Sequence, residues 1–197
     1  VWLKDSPGRR KNYHEVNEMS SYGGKELASA FRTVRKNTIQ VAEDIPESKY
    51  GHVPAAECKS VAGMLAHIAV ATQIWEEIHK KQRLTTLVGL DYLGIRAKLD
   101  AEEARLRSKA EIVELLRTSG EGFAAWLETL TPEFLGEMVT EPDGKTAKSR
   151  LERLLAAKEH EMHHRAQLML IERQLGIVPH LTRQFQERVA QMRAAKA

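Results

Sequence analysis

The 197-residue chain contains a single cysteine, Cys58. No intramolecular disulfide can form, which points to a reducing compartment and a cytoplasmic protein. Cys58 is read as an inert thiol rather than a nucleophile. No apolar run approaches the roughly 20 residues that a helical membrane span needs. Charge of one sign is also scarce: the formal net charge is +3, and the basic residues are dispersed, which excludes a nucleic-acid footprint. There is no phosphate-cradling glycine loop, no Gly-x-Ser-x-Gly elbow, no internal repeat and no alternating β pattern of useful length.

What the chain does have is helical periodicity. The first long segment runs from about Lys25 to Ala42, with Leu27, Phe31, Val34 and Ile39 near helical spacing. A loop from Glu43 to Lys59 follows, broken by Pro46, Gly51 and Pro54. Ser60 is placed to cap a second helix over Val61 to Lys80, on which Met64, His67, Ala71, Ile74 and Ile78 mark a core-facing stripe. A long connection, Lys81 to Arg107, with a short helix inside it, leads to a third helix. Ser108 and Glu111 cap that helix, which reaches about Leu130. Ser149 with Glu152 repeats the capping box and opens a fourth helix, ending at Gly176. A short amphipathic segment, Leu181 to Met192, closes the chain. The expected fold is all-α, a four-helix bundle with a long connection between the second and third helices and extra segments at both ends. Residues 1–24 are read as an N-terminal arm, with a basic cluster at Arg9-Arg10-Lys11 and no apolar core of a secretory signal; residues 25–197 are read as one bundle domain.

The chemistry concentrates in Glu159-His160-Glu161-Met162-His163-His164-Arg165-Ala166-Gln167. At about 100° per residue, His160 and His164 share one helix face with Ala157, Leu168 and Ile171, while His163 points about 100° away. Two neutral imidazoles at i and i+4 form half of a divalent-metal site. His67, on the inward stripe of the second helix, is the third candidate ligand. A lone inward histidine is most often a hydrogen-bonded core residue, but three on two helices are costly to bury without a partner. A di-iron reading rests on Glu161-x-x-His164 and Glu76-x-x-His79; phase turns the second pair away from His67, towards solvent. Trp75, Phe31 and Trp126 are assigned to the core. Of the acids, Glu161 lies nearest the histidine face and is the first guess for a general base.

Two stretches carry a family likeness: Ile45-Pro46-Glu47-Ser48-Lys49-Tyr50 followed by Ser60-Val61-Ala62-Gly63-Met64-Leu65-Ala66-His67-Ile68, and His160-x-x-x-His164-Arg165-Ala166-Gln167. Together they resemble the DinB-like (damage-inducible, YfiT-type) metalloenzyme family, over about Lys25 to Gly176. The resemblance implies a four-helix bundle whose metal is held by one histidine of the second helix and a His-x-x-x-His pair of the fourth. Those roles fall on His67, His160 and His164. Ala166 stands where relatives commonly have glycine, which would narrow the space beside the fourth helix. Some relatives are transferases or isomerases that use low-molecular-weight bacterial thiols. A thiol-dependent transferase acting on a small molecule is therefore the expectation, with a metal-dependent hydrolase or a non-catalytic binding module as alternatives. Three histidines accept Zn, Ni, Mn or Fe and do not choose among them. A homodimer is expected too, from the family and from a second apolar stripe on the fourth helix: Leu151, Leu154, Leu155, Met162 and Met169.

Overall fold

The computed structural model describes residues 22–196. Its helices are α1 (Gly24–Asp44), α2 (Val61–Trp75), α3 (Tyr92–Glu103), α4 (Lys109–Glu128), α5 (Pro132–Gly136), α6 (Arg150–Gln174) and α7 (His180–Ala194). A small antiparallel hairpin, β1 (Met138–Thr140) and β2 (Ala147–Ser149), precedes α6. The fold is all-α at its centre: α1, α2, α4 and α6 form the bundle, α3 lies on α2 within the long connection, and α7 is the C-terminal extension. The expected N-terminal arm, residues 1–24, lies outside the described residues apart from its last three positions. No helix among the described residues is long and apolar enough to cross a membrane.

The caps form where their side chains predict. Ser60 Oγ accepts the Gly63 N–H at 3.1 Å, and Ser108–Glu111 and Ser149–Glu152 both close reciprocal capping boxes. Each satisfies amide donors that a helix start would otherwise leave bare. Gly176 takes a φ of +77° just past α6, a conformation that an L side chain adopts only with strain.

The core has two apolar zones. One gathers Val41, Ile45, Leu65, Ile68, Ile112, Leu116 and Leu168; the other gathers Leu27, Phe31, Phe123, Leu127, Leu154 and Ala157. Phe31 and Phe123 meet edge to face with ring centroids 4.9 Å apart. Between these zones a charged pair crosses the bundle. Arg35 of α1 binds Glu161 of α6 at 2.9 Å, and the two side chains are 4% and 2% exposed. Arg35 also donates to the Leu116 carbonyl at 2.7 Å and to Ser119 Oγ at 3.0 Å. Gly120 makes room for it, since a Cβ there would stand 2.6 Å from Arg35 Cγ.

Several sequence expectations change. Met64, His67, Ala71 and Ile78 are buried as the stripe on the second helix predicts, but so is every residue from Met64 to Thr72, because α2 is covered by α3, α4 and α6 together. From Glu76 to Lys81 it continues as a π-helical turn. His79 is consequently fully buried rather than solvent-facing, and it accepts a hydrogen bond from Arg150 on Nδ1 at 3.0 Å. The hairpin leaves no mark in the sequence pattern because its strands are three residues long, too short for alternation to register. The second apolar stripe of α6 is mostly absorbed within the chain: Leu154 is buried, Leu151 and Leu155 pack on the second zone and Met169 on the first. Met162 alone of that set is exposed.

Candidate metal centre

Three imidazoles converge where α2 passes α6. His67, His160 and His164 each offer a ring nitrogen within 4.8 Å of the other two. His67 Nε2 and His160 Nε2 are 3.0 Å apart. The ring centroids of the three pairs are separated by 4.9, 4.7 and 4.6 Å. The i, i+4 spacing on α6 supplies two of the rings and the central helix brings the third across to them.

Outer groups orient the rings. His67 Nδ1–H donates to Glu103 Oε1 at 2.7 Å, so Nε2 is left with a lone pair facing the other rings. Glu103, at the end of α3, is itself tied down: Arg96 donates to Oε1 at 2.7 Å and Lys59 to Oε2 at 2.8 Å. Burial raises the Glu103 carboxyl pKa, but the bonds from Lys59 and His67 outweigh it and the group stays below the ordinary carboxylate range. His164 Nδ1–H donates to Gln167 Oε1 at 2.9 Å, again leaving Nε2 for the cluster. Burial, with repulsion from His164 and His67, pushes the pKa of His160 down to about 4. Burial lowers His164 as well, against the opposing bond to Gln167. Both rings are therefore neutral at physiological pH, the form that binds metals.

The arrangement fits a divalent ion. Two nitrogens each about 2.0–2.1 Å from a shared tetrahedral ion lie roughly 3.3 Å apart, close to the observed His67–His160 separation. Three imidazoles, one anchored by a carboxylate, are a donor set such an ion takes up. The three residues named from sequence are the three that the fold unites. His163 is exposed and stands outside the cluster, its Nε2 accepting from the Gln167 amide at 3.3 Å.

Other expectations resolve differently. Glu161 cannot serve as a mobile base, because both of its oxygens are engaged by Arg35. The same pair removes Glu161-x-x-His164 from the di-iron reading; Glu76 binds Lys80 at 3.0 Å while His79 turns to Arg150. Ala166 is exposed and narrows nothing. Glu103, Arg96 and Lys59 were not anticipated: two of them sit in the long connection and one in a loop, where no periodicity marks an inward position.

A cavity of about 620 Å³ opens beside His67 and His160, a size suited to a small-molecule ligand. Ala71, Ile74, Ile78, Leu87 and Leu90 give it apolar walls. Trp75, expected in the core, also lines it, its ring 5.8 Å from that of His160 and its Nε1–H donating to the Arg153 carbonyl at 3.0 Å. The hairpin closes the far end with Glu141, Pro142 and Lys148.

Comparison with known proteins agrees with this architecture. YjoA, an uncharacterized protein of Bacillus subtilis, is 24% identical over 153 residues, covering 77% of this chain and 90% of the relative. The crystal structure of that DinB-like protein superposes with a TM-score of 0.57 at 22% identity, covering 77% of this chain and 92% of the other. The structure of YfiT from the same bacterium superposes with a TM-score of 0.62 at 17% identity, covering 84% and 94%. These two likenesses establish the shared fold. The family model of the DinB superfamily matches residues 30–168, a span that reaches from α1 through all three histidines, and the chain belongs to that superfamily.

Proposed function

We propose that this protein is a divalent-metal-dependent hydrolase of a small molecule, with His67, His160 and His164 as the metal ligands. The observation that carries the reading is the convergence of three ring nitrogens, one backed by Glu103, at the edge of an apolar cavity. An ion held there would supply acidification of a water molecule and polarisation of a carbonyl group. The chain's own residues do the rest. Glu103 keeps the proton of His67 on Nδ1, and Gln167 does the same for His164. The cavity walls exclude bulk water and hold a substrate's apolar part. Among the described lining residues, Glu141 is bound to Arg153 and Glu152 to the start of its own helix, so neither is a free base.

Hydrolysis is preferred to the thiol transfer that the family resemblance implied. YfiT, which shares the fold, is described as a probable metal-dependent hydrolase, and the site geometry offers no thiol-specific group. A homodimer remains part of the proposal, resting on the family, now that the apolar stripe of α6 is largely buried. Metal analysis of the purified protein, followed by hydrolysis of p-nitrophenyl acetate with and without chelator, tests the central reading. A stoichiometric divalent ion with chelator-sensitive turnover is expected. Absence of metal binding at micromolar zinc, nickel, manganese and iron would remove it.

A further inference from the structure

We infer that the cavity beside the three histidines selects an uncharged substrate with an extended apolar arm, the scissile ester or amide at His67 and His160 and the arm running towards Arg153. The scissile end rests on the hydrolase reading; the arm and its neutrality rest on the cavity alone.

Length follows from the helix that forms one wall. His160 and Arg153 both line the cavity and are seven residues apart on α6. Seven residues are close to two turns, so they share a face and are separated by about 10 Å along the axis. On the facing helix, Ala71 and Ile74 continue the wall away from His67 in the same way. Along this direction the space is a trough about 10 Å long, which an arm of about eight carbons spans.

Neutrality follows from how the charges around the trough are spent. Arg153 is paired with Glu141 through one terminal nitrogen, and its buried Nε–H has no partner among the described residues. Arg96 is paired with Asp100 at 2.5 Å and Glu103 at 2.7 Å. Glu152 accepts the Ser149 N–H at 2.8 Å and its hydroxyl at 2.9 Å. Lys148 has no acidic partner among the described residues, but it is exposed on the hairpin, where water and salt screen it. A carboxylate or ammonium along the arm would leave water for apolar walls, and the charges at the rim are either paired, as Arg96 and Arg153 are, or exposed to solvent, as Lys148 and Glu152 are.

Ala71 sets the room available. It is one helical turn beyond His67, 3% exposed, and the smallest side chain on that wall. A larger residue there would fill the trough next to the histidines. Trp75, one further turn along and fixed through its indole N–H, is a built-in reporter of occupancy.

The test is a fluorescence titration of the full chain, stripped of metal by chelator, with hexanamide, hexanoate and hexylammonium, using Trp75→Phe to assign the signal. Hexanamide is expected to perturb Trp75 with a Kd at least ten-fold below those of the two charged probes. From butanamide to octanamide, each methylene should tighten binding about four-fold, with no further gain in dodecanamide. Ala71→Phe should weaken hexanamide at least ten-fold while zinc content after reloading is unchanged. Tighter binding of hexanoate or hexylammonium, or no dependence on arm length, would overturn the inference. Failure of the hydrolase reading looks different: hexanamide binds as expected, yet the zinc-loaded protein cleaves neither p-nitrophenyl acetate nor p-nitrophenyl hexanoate.

Discussion

His67 Nδ1 and Glu103 Oε1 lie 2.7 Å apart although 36 residues separate them in the chain. The contact joins the central helix to the end of α3, so the connection that crosses the bundle also fixes the aim of one candidate ligand. Glu103→Ala is expected to lower metal affinity by about 10–100-fold, with Glu103→Gln falling between that and the parent because its amide oxygen still accepts from Nδ1. Competition against a fluorescent chelator measures this. Equal affinity in all three proteins would show that Glu103 has no part in orienting His67.

Removal of single imidazoles should separate ligand from bystander. His160→Ala and His67→Ala are expected to lose most metal binding, whereas His163→Ala, altering an exposed ring outside the cluster, should keep it. Metal content per folded chain, with circular dichroism as the folding control, decides the matter. A loss in His163→Ala as large as in the other two would mean that the α6 register differs from the one described.

The Arg35–Glu161 pair gives a stability prediction with an internal control. Arg35→Ala leaves a carboxylate buried without its partner and should cost about 3–5 kcal/mol in urea denaturation. Arg35→Met combined with Glu161→Leu removes both charges and should recover much of that loss. A double variant no more stable than the single one would show that packing around Gly120, rather than charge, governs the position.

Glu172 provides a pH signature. It is fully buried, and neither carboxyl oxygen has a hydrogen-bond partner among the described residues. Burial, with the nearby Asp44 carboxylate, raises its pKa to about 7 against the opposing effect of Arg183 and Arg173. A folded-state pKa above the unfolded value means that the folded chain holds the proton more tightly. The stability this contributes is complete below about pH 4.5 and is lost as pH rises through 7. Glu172→Gln should therefore stabilise the protein by on the order of 2 kcal/mol at pH 8 relative to its effect at pH 5. Thermal melts of both proteins at the two pH values check the sign.

The histidines were legible because helical spacing encodes direction: His160 and His164 repeat at four residues, and His67 sits in an apolar run. Glu103 was not, since an acid near the end of a short helix in a long connection reads as solvated until the connection is seen to fold back over α2. His79 departs from its expected direction for a related reason: an ideal α-helix turns it to solvent, whereas the π-helical turn from Glu76 to Lys81 changes the phase. Trp75 packs on the second apolar zone, as a core residue should, while its other side faces a hollow that only tertiary structure creates.

Glu161 is the immediate chain neighbour of His160, and its grip on Arg35 ties the rotational setting of α6 to α1. Any twist of α6 that redirected His160 would drag a buried carboxylate off its guanidinium. The bundle's far side thus acts as a torsional stop for the metal centre. Arg35, which also reaches the Ile68 carbonyl beside His67, gives α1 a say in where those rings point.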